Sequence, residues 1–232
     1  MPSLAMPPPA MPPPAVPKKD EGATPMSTVA KEGSLAELRA CGADAARAWR
    51  NNRGQSLIFF AVQRPQDTLA VCRFLVEEVG LEVDTVDTTR LAQTPVFFAA
   101  KKANTDAARY LLDRSADVQR KDGYGQSALF YAAKSGQAEI TRLLLDRAAD
   151  VNQADRVNQT PLFYAATGSS CTAALVLLLE RRAAPCVADR SGKTALDFAI
   201  EQGRQEARRI LIEAGEAEVT WEKKPASAVP TA

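Results

Sequence analysis

One short pattern, repeated five times at nearly even spacing, constrains this chain more than any other feature of it. The copies are Gln55-Ser56-Leu57-Ile58-Phe59-Phe60-Ala61-Val62, Gln93-Thr94-Pro95-Val96-Phe97-Phe98-Ala99-Ala100 and Gln126-Ser127-Ala128-Leu129-Phe130-Tyr131-Ala132-Ala133. Gln159-Thr160-Pro161-Leu162-Phe163-Tyr164-Ala165-Ala166 and Lys193-Thr194-Ala195-Leu196-Asp197-Phe198-Ala199-Ile200 complete the set. Their hydroxyl residues, at 56, 94, 127, 160 and 194, stand 38, 33, 33 and 34 positions apart. A period near 33 is the signature of a solenoid, in which one unit buries its apolar face only against its neighbours.

Each unit has a local logic. The Ser or Thr suits an N-cap, whose hydroxyl satisfies an orphan amide for about 1 kcal/mol. Pro95 and Pro161 follow at the first helical position, where a missing N–H costs nothing. The helix that starts there carries the Ala pair, and a second helix carries Phe74-Leu75-Val76, Tyr110-Leu111-Leu112, Leu143-Leu144-Leu145, Val176-Leu177-Leu178-Leu179 or Ile210-Leu211-Ile212. Polar turns follow at Ala116-Asp117-Val118, Ala149-Asp150-Val151-Asn152 and Ala184-Pro185-Cys186-Val187, and Asp122, Asp155 and Asp189 open the next turn. The five extra residues of the first full unit are assigned to the Gln63–Asp67 loop and the Glu77–Asp87 stretch.

In these motifs the chain resembles the ankyrin-repeat family, whose unit reads T-P-L-H-x-A with later apolar and A-D-V-N elements. Thr160-Pro161-Leu162-Phe163-Tyr164-Ala165-Ala166, with Leu143-Leu144-Leu145 and Ala149-Asp150-Val151-Asn152, matches it best. The resemblance implies an all-α solenoid of stacked helix-turn-helix units with β-turn fingers, flanked by disordered tails. It covers residues 27–217: an N-terminal cap at 27–50, full repeats at about 51–88, 89–121, 122–154 and 155–188, and a C-terminal repeat at 189–217. The departure is systematic. The family's usual His is Phe59, Phe97, Phe130 and Phe163, and Asp197 in the last copy, in a chain with no histidine at all. Apolar contact should replace a polar His–Thr network, at roughly 1.5–3 kcal/mol per buried ring, leaving the hydroxyls to act mainly as caps.

Outside the repeats, eight of the 15 prolines fall within residues 1–17. A polyproline II tail is expected over 1–26 and a second disordered tail over 218–232. Pro13-Pro14-Ala15-Val16-Pro17-Lys18-Lys19 fits a PxxP peptide for an SH3/WW-type domain. No secretory or membrane-spanning segment is apparent, and Cys41, Cys72, Cys171 and Cys186 form no CxxC pair. A cytoplasmic protein with reduced thiols is expected, the nucleus being the other compartment to consider, and a monomer without cofactors.

The absence of histidine removes Ser-His-Asp, Cys-His and Cys2His2 chemistry. Gly192-Lys193-Thr194 is no phosphate loop, since Val187 stands where that motif needs glycine. Glu77-Glu78 and Asp84/Asp87 lack calcium-loop spacing and read as solvated edges. No metal site and no catalysis are expected. Asn152, eight positions after Leu144 and directly after Asp150-Val151, resembles a target of asparaginyl hydroxylation.

The resemblance implies partner binding on a concave face built from turn tips and first-helix ends. Carrying those positions over gives Asn52, Arg53, Gln55, Gln63 and Arg64, then Arg90, Leu91, Gln93, Lys101 and Lys102, then Gly123, Tyr124, Gln126, Lys134 and Ser135. Arg156, Val157, Gln159, Thr167 and Gly168 follow, then Arg190, Ser191, Lys193, Glu201 and Gln202. Only Glu201 among these is acidic, although the chain's formal net charge is +1. The partner-binding candidates are therefore Arg53, Arg90, Lys101, Lys102, Tyr124, Lys134, Arg156, Arg190 and Lys193. They suit an acidic segment of another protein, with Tyr124 as anchor. The expected function is a non-catalytic scaffold or adaptor. The alternatives are nucleic-acid binding through the same residues, disfavoured by the low net charge, and a Pro-tail-mediated adaptor subunit of a larger signalling or ubiquitin-ligase complex.

Overall fold

A computed structural model describes residues 25–168 and 172–222, with the backbone alone for 216–222. The Pro13–Lys19 motif and Cys171 lie outside the described residues, as does most of each expected tail.

The described residues form thirteen α-helices. Three short ones open the fold: α1 (Met26–Glu32), α2 (Leu35–Ala40) and α3 (Ala43–Ala48). Then come five helix pairs. They are α4 (Ile58–Ala61) with α5 (Thr68–Arg73), α6 (Pro95–Lys101) with α7 (Thr105–Asp113), α8 (Ala128–Ser135) with α9 (Ala138–Asp146), α10 (Pro161–Thr167) with α11 (Thr172–Glu180), and α12 (Ala195–Glu201) with α13 (Gln205–Glu222). First helices stack on first helices and second on second along the chain, while α1 packs on α4. The two rows enclose one continuous apolar core, where Phe59, Phe97, Phe130, Leu111, Leu144 and Leu162 are at most 1 % exposed. A pair of seven- to nine-residue helices is too short to stand alone, so this stacking carries the stability.

The rings that replace histidine run along the stack. Phe59–Phe98, Phe97–Tyr131, Phe130–Tyr164 and Phe163–Phe198 meet edge to face at 5.4, 5.7, 5.4 and 5.7 Å between centroids. Trp49 begins the series against Phe60 at 5.6 Å. Such pairs add about 0.5–1.5 kcal/mol each beyond their burial. The hydroxyls beside them do not act as expected. Thr94, Ser127 and Thr160 occupy N-cap positions with extended backbone but make no side-chain cap bond. Their oxygens, and that of Ser56, are buried without a partner. The side chain of the phenylalanine three residues on offers neither donor nor acceptor, and its backbone N–H goes to the carbonyl of the N-cap residue rather than to the hydroxyl. The exception supplies the reason, because where Asp197 stands instead, Thr194 forms a reciprocal capping box with it.

The second helices end alike. Ser115, Ala148 and Arg182 adopt positive φ of 66, 63 and 66°, and the N–H groups of Ala116, Ala149 and Ala183 return to Leu111, Leu144 and Leu178. The last of these turns therefore begins at Ala183, one residue earlier than its sequence register suggested. In the first unit, α5 runs into a π-helical turn, Phe74–Glu78, and Leu81 N–H reaches Leu75. That turn absorbs one residue of the insertion. Two more widen the finger that follows: the Gln93 N–H bonds Asp87 six residues back, against four for Gln126–Asp122 and Gln159–Asp155. Neither stretch assigned from the sequence contains that finger. At the other end, α13 continues through Glu222, past position 217 and into the expected tail.

Arg64 closes the N-terminal edge. It is 7 % exposed, and its guanidinium donates to the carbonyls of Ala30 at 3.0 Å and Gly33 at 2.8 Å. It thereby caps α1, so this expected face residue is structural.

Candidate functional site

The fingers are built on buried carboxylates. Asp122 Oδ1 accepts the N–H groups of Tyr124 and Gln126 at 2.8 and 3.1 Å, and Asp155 Oδ1 those of Val157 and Gln159 at 3.0 and 2.9 Å. An Asp is needed there because a short acceptor must fold its own backbone back. The second oxygen of each receives the preceding unit's glutamine: Gln93 to Asp122 at 2.9 Å and Gln126 to Asp155 at 2.9 Å. Gln55, Gln93 and Gln126 are consequently buried at 5, 1 and 8 % exposure. They are not surface contacts, contrary to the sequence-based expectation.

Neighbouring fingertips are joined edge to edge. Thr88 N–H bonds Arg53 O at 2.7 Å, Gly123 N–H bonds Leu91 O at 2.7 Å, Arg156 N–H bonds Tyr124 O at 3.0 Å, and Arg190 N–H bonds Val157 O at 3.0 Å. Gly123 is required for this approach, since a Cβ there would stand 2.3 Å from Arg90 O. The joined tips expose Tyr124 and Val157, at 56 and 47 %, as adjacent apolar side chains. Arg53, Arg90, Arg156 and Arg190 are exposed along the same row.

Between the tips and the first-helix row lies a groove of about 360 Å³, lined by Tyr124, Phe130, Tyr131, Lys134, Arg156, Val157 and Tyr164, with Gln126 and Asp155 at its base. Tyr131 Oη donates to Asp122 at 2.6 Å and accepts from Gln93 at 2.8 Å. Tyr164 Oη donates to Asp155 at 3.2 Å and accepts from Gln126 at 2.6 Å. Burial, with the charge and hydrogen bond of Asp155, pushes the Tyr164 phenol up to about 12, and burial with the Asp122 hydrogen bond raises that of Tyr131. Both phenols therefore stay protonated donors at neutral pH, and the polar floor is engaged within the protein. The surface left for a ligand consists of ring faces, the Val157 methyls and a cationic rim.

Of the nine residues singled out for a partner, Tyr124, Lys134 and Arg156 meet in this groove, and Arg53, Arg90 and Arg190 extend its rim along the tips. Lys101 is engaged internally. Its Nζ donates to Gln93 Oε1 at 2.6 Å and lies 4.5 Å over the Tyr131 ring. Desolvation lowers its pKa against the pull of Asp122 and Asp87. Lys193 is paired with Glu201 at 2.6 Å. Lys102 lies elsewhere, beside Arg73 and Asn104 in a second cavity of about 930 Å³. Asn152 sits in a turn between units, its amide donating to Arg182 O at 3.1 Å and accepting from Ala184 N–H at 2.9 Å.

The sequence did not reveal the tyrosine–aspartate pairs. Their one signal was that Tyr replaces Phe only at 131 and 164, each in the unit after a Gln that precedes the hydroxyl residue. Among the described residues no group of three or more Cys, Asp or Glu is placed to hold a metal ion, and no helix is long and apolar enough to cross a membrane. No curated protein matches the sequence. A family model described as ankyrin repeats, in three copies, matches residues 58–155 and again 152–221.

Proposed function

Because the chain belongs to the ankyrin-repeat family, whose repeats mediate protein–protein interaction, we propose that it is a non-catalytic module presenting its fingertips and groove to an acidic segment of a partner protein. One observation carries this reading. The exposed Tyr124 and Val157 stand together on a row that also carries Arg90, Arg156 and Arg190. Aromatic anchors bordered by arginine are the surfaces that concentrate binding energy, while the outer charges steer encounter. A scaffold already ordered by its stacking loses little entropy on binding.

The triple variant Arg90→Glu, Arg156→Glu, Arg190→Glu of the full chain tests the reading. Affinity capture with mass spectrometry should lose its principal partner, and the wild-type complex should weaken with added salt. Capture that persists with the same salt dependence would refute it. The cytoplasmic placement, the Pro13–Lys19 docking peptide and hydroxylation of Asn152 are further proposals. The last is supported by the position of Asn152 in a turn beside Asp150, and intact-mass comparison with an Asn152→Ala variant checks it.

A further inference from the structure

The groove has an unusual chemical demand. Its walls are the rings of Tyr124, Phe130, Tyr131 and Tyr164 with Val157, yet Tyr164 and Gln126 already donate to Asp155, and Tyr131 to Asp122. A peptide laid across it finds ring faces, while the Asp155 carboxylate beneath them already accepts four hydrogen bonds from within the protein, so the groove favours residues that bring no N–H of their own. Proline satisfies that condition, since it has no N–H and an extended Pro run is preorganised. Its flat rings pack on aromatic faces, and its carbonyls are left to the donors of the rim, among them the Arg156 guanidinium.

The chain carries such a segment. Pro7-Pro8-Pro9-Ala10-Met11-Pro12-Pro13-Pro14 precedes the first described residue, Pro25. We propose that this stretch docks in cis in the groove between Tyr124, Tyr131 and Tyr164, so that the chain occupies its own binding surface until a partner displaces it.

The geometry permits the reach. Eleven positions separate Pro14 from Pro25, which span up to about 36 Å when extended. From α1, which packs on α4, the groove lies three to four helix-to-helix steps along the first-helix row, or roughly 30 Å at 8–10 Å per step. A tether of this length holds its end at an effective concentration in the millimolar range, so contacts too weak to capture a free peptide suffice in cis. The proposal does not depend on the partner being acidic.

Photo-crosslinking in the full chain tests it. With p-benzoylphenylalanine in place of Ala10, irradiation should give cross-links within one chain to residues 124–164, at a yield independent of protein concentration. Replacing Pro7, Pro8, Pro9, Pro12, Pro13 and Pro14 by Ser should lower that yield about tenfold, the size expected for losing one or two ring contacts. These substitutions lie outside the repeats and leave their packing alone. Tyr124→Ala with Val157→Asp should do the same, circular dichroism confirming an intact helical array. Cross-links that map elsewhere, form only between chains, fail to form, or survive the Pro→Ser replacements would overturn the proposal. Loss of partner capture in the arginine variant with these cross-links retained would separate the two readings.

Discussion

Gln126 Nε2 donates to Asp155 Oδ2 at 2.9 Å, from one repeat to the next. The same bond recurs as Gln55–Asp87 at 3.2 Å, Gln93–Asp122 at 2.9 Å and Gln159–Asp189 at 3.0 Å. Each glutamine is fixed by the stacking of two units, and each aspartate in turn folds a finger. The bonds thus couple the spacing of the helices to the shape of the finger row.

Gln126→Ala should therefore destabilise the array by about 1.5–3 kcal/mol, the range for a hydrogen bond to a buried charge. Gln159→Ala, whose partner Asp189 is more exposed to solvent, should lose less than that, because water screens the charge. Urea unfolding followed by circular dichroism gives both numbers. Equal effects would show that burial of the ladder is not what matters.

Ser127 and Thr194 occupy matching positions with opposite surroundings. Ser127 Oγ is buried without a partner, so Ser127→Ala should be neutral or stabilising by up to about 1 kcal/mol. Thr194→Ala removes a capping box and should destabilise by about 1 kcal/mol. Thermal unfolding of the two variants side by side should shift in opposite directions or, for Ser127→Ala, not at all.

The Ser191 hydroxyl, then Gln159, hold Asp189 down at about 2 against an ordinary 3.8. A depressed folded-state pKa means that the carboxylate's stabilisation is complete above the ordinary value. It is lost as pH falls from 3.8 toward 2. The midpoint of urea unfolding should fall across that window, and less steeply in Asp189→Asn. A carboxyl carbon titrating near its ordinary value by NMR would contradict this.

Burial pushes the Cys72 thiol up to about 12, whereas Cys186 is exposed. Iodoacetamide at pH 8 should modify Cys186 in the native protein and reach Cys72 only after unfolding. Peptide mapping after a brief native pulse checks the order, and early modification of Cys72 would reveal an opening of the first repeat.

The sequence alone determined the period, the pairing of short helices and the identity of the core rings. These follow from residues that act within one unit or recur in every unit, so the pattern exposes them. It also brought Tyr124, Arg156 and Lys134 forward as surface residues of the face. Which polar groups face one another was decided by the tertiary structure. Gln93 meets Asp122 and Tyr131 at separations of 29 and 38 residues, and only the packing distance between helices sets that register. That packing withdrew Gln126 and Arg64 from the face, engaged Lys101, and left Ser127 unpaired once Phe130 had taken the place of a hydrogen-bonding side chain. It also closed the groove's polar floor, because a buried phenol, amide and carboxylate are stable only when they satisfy one another.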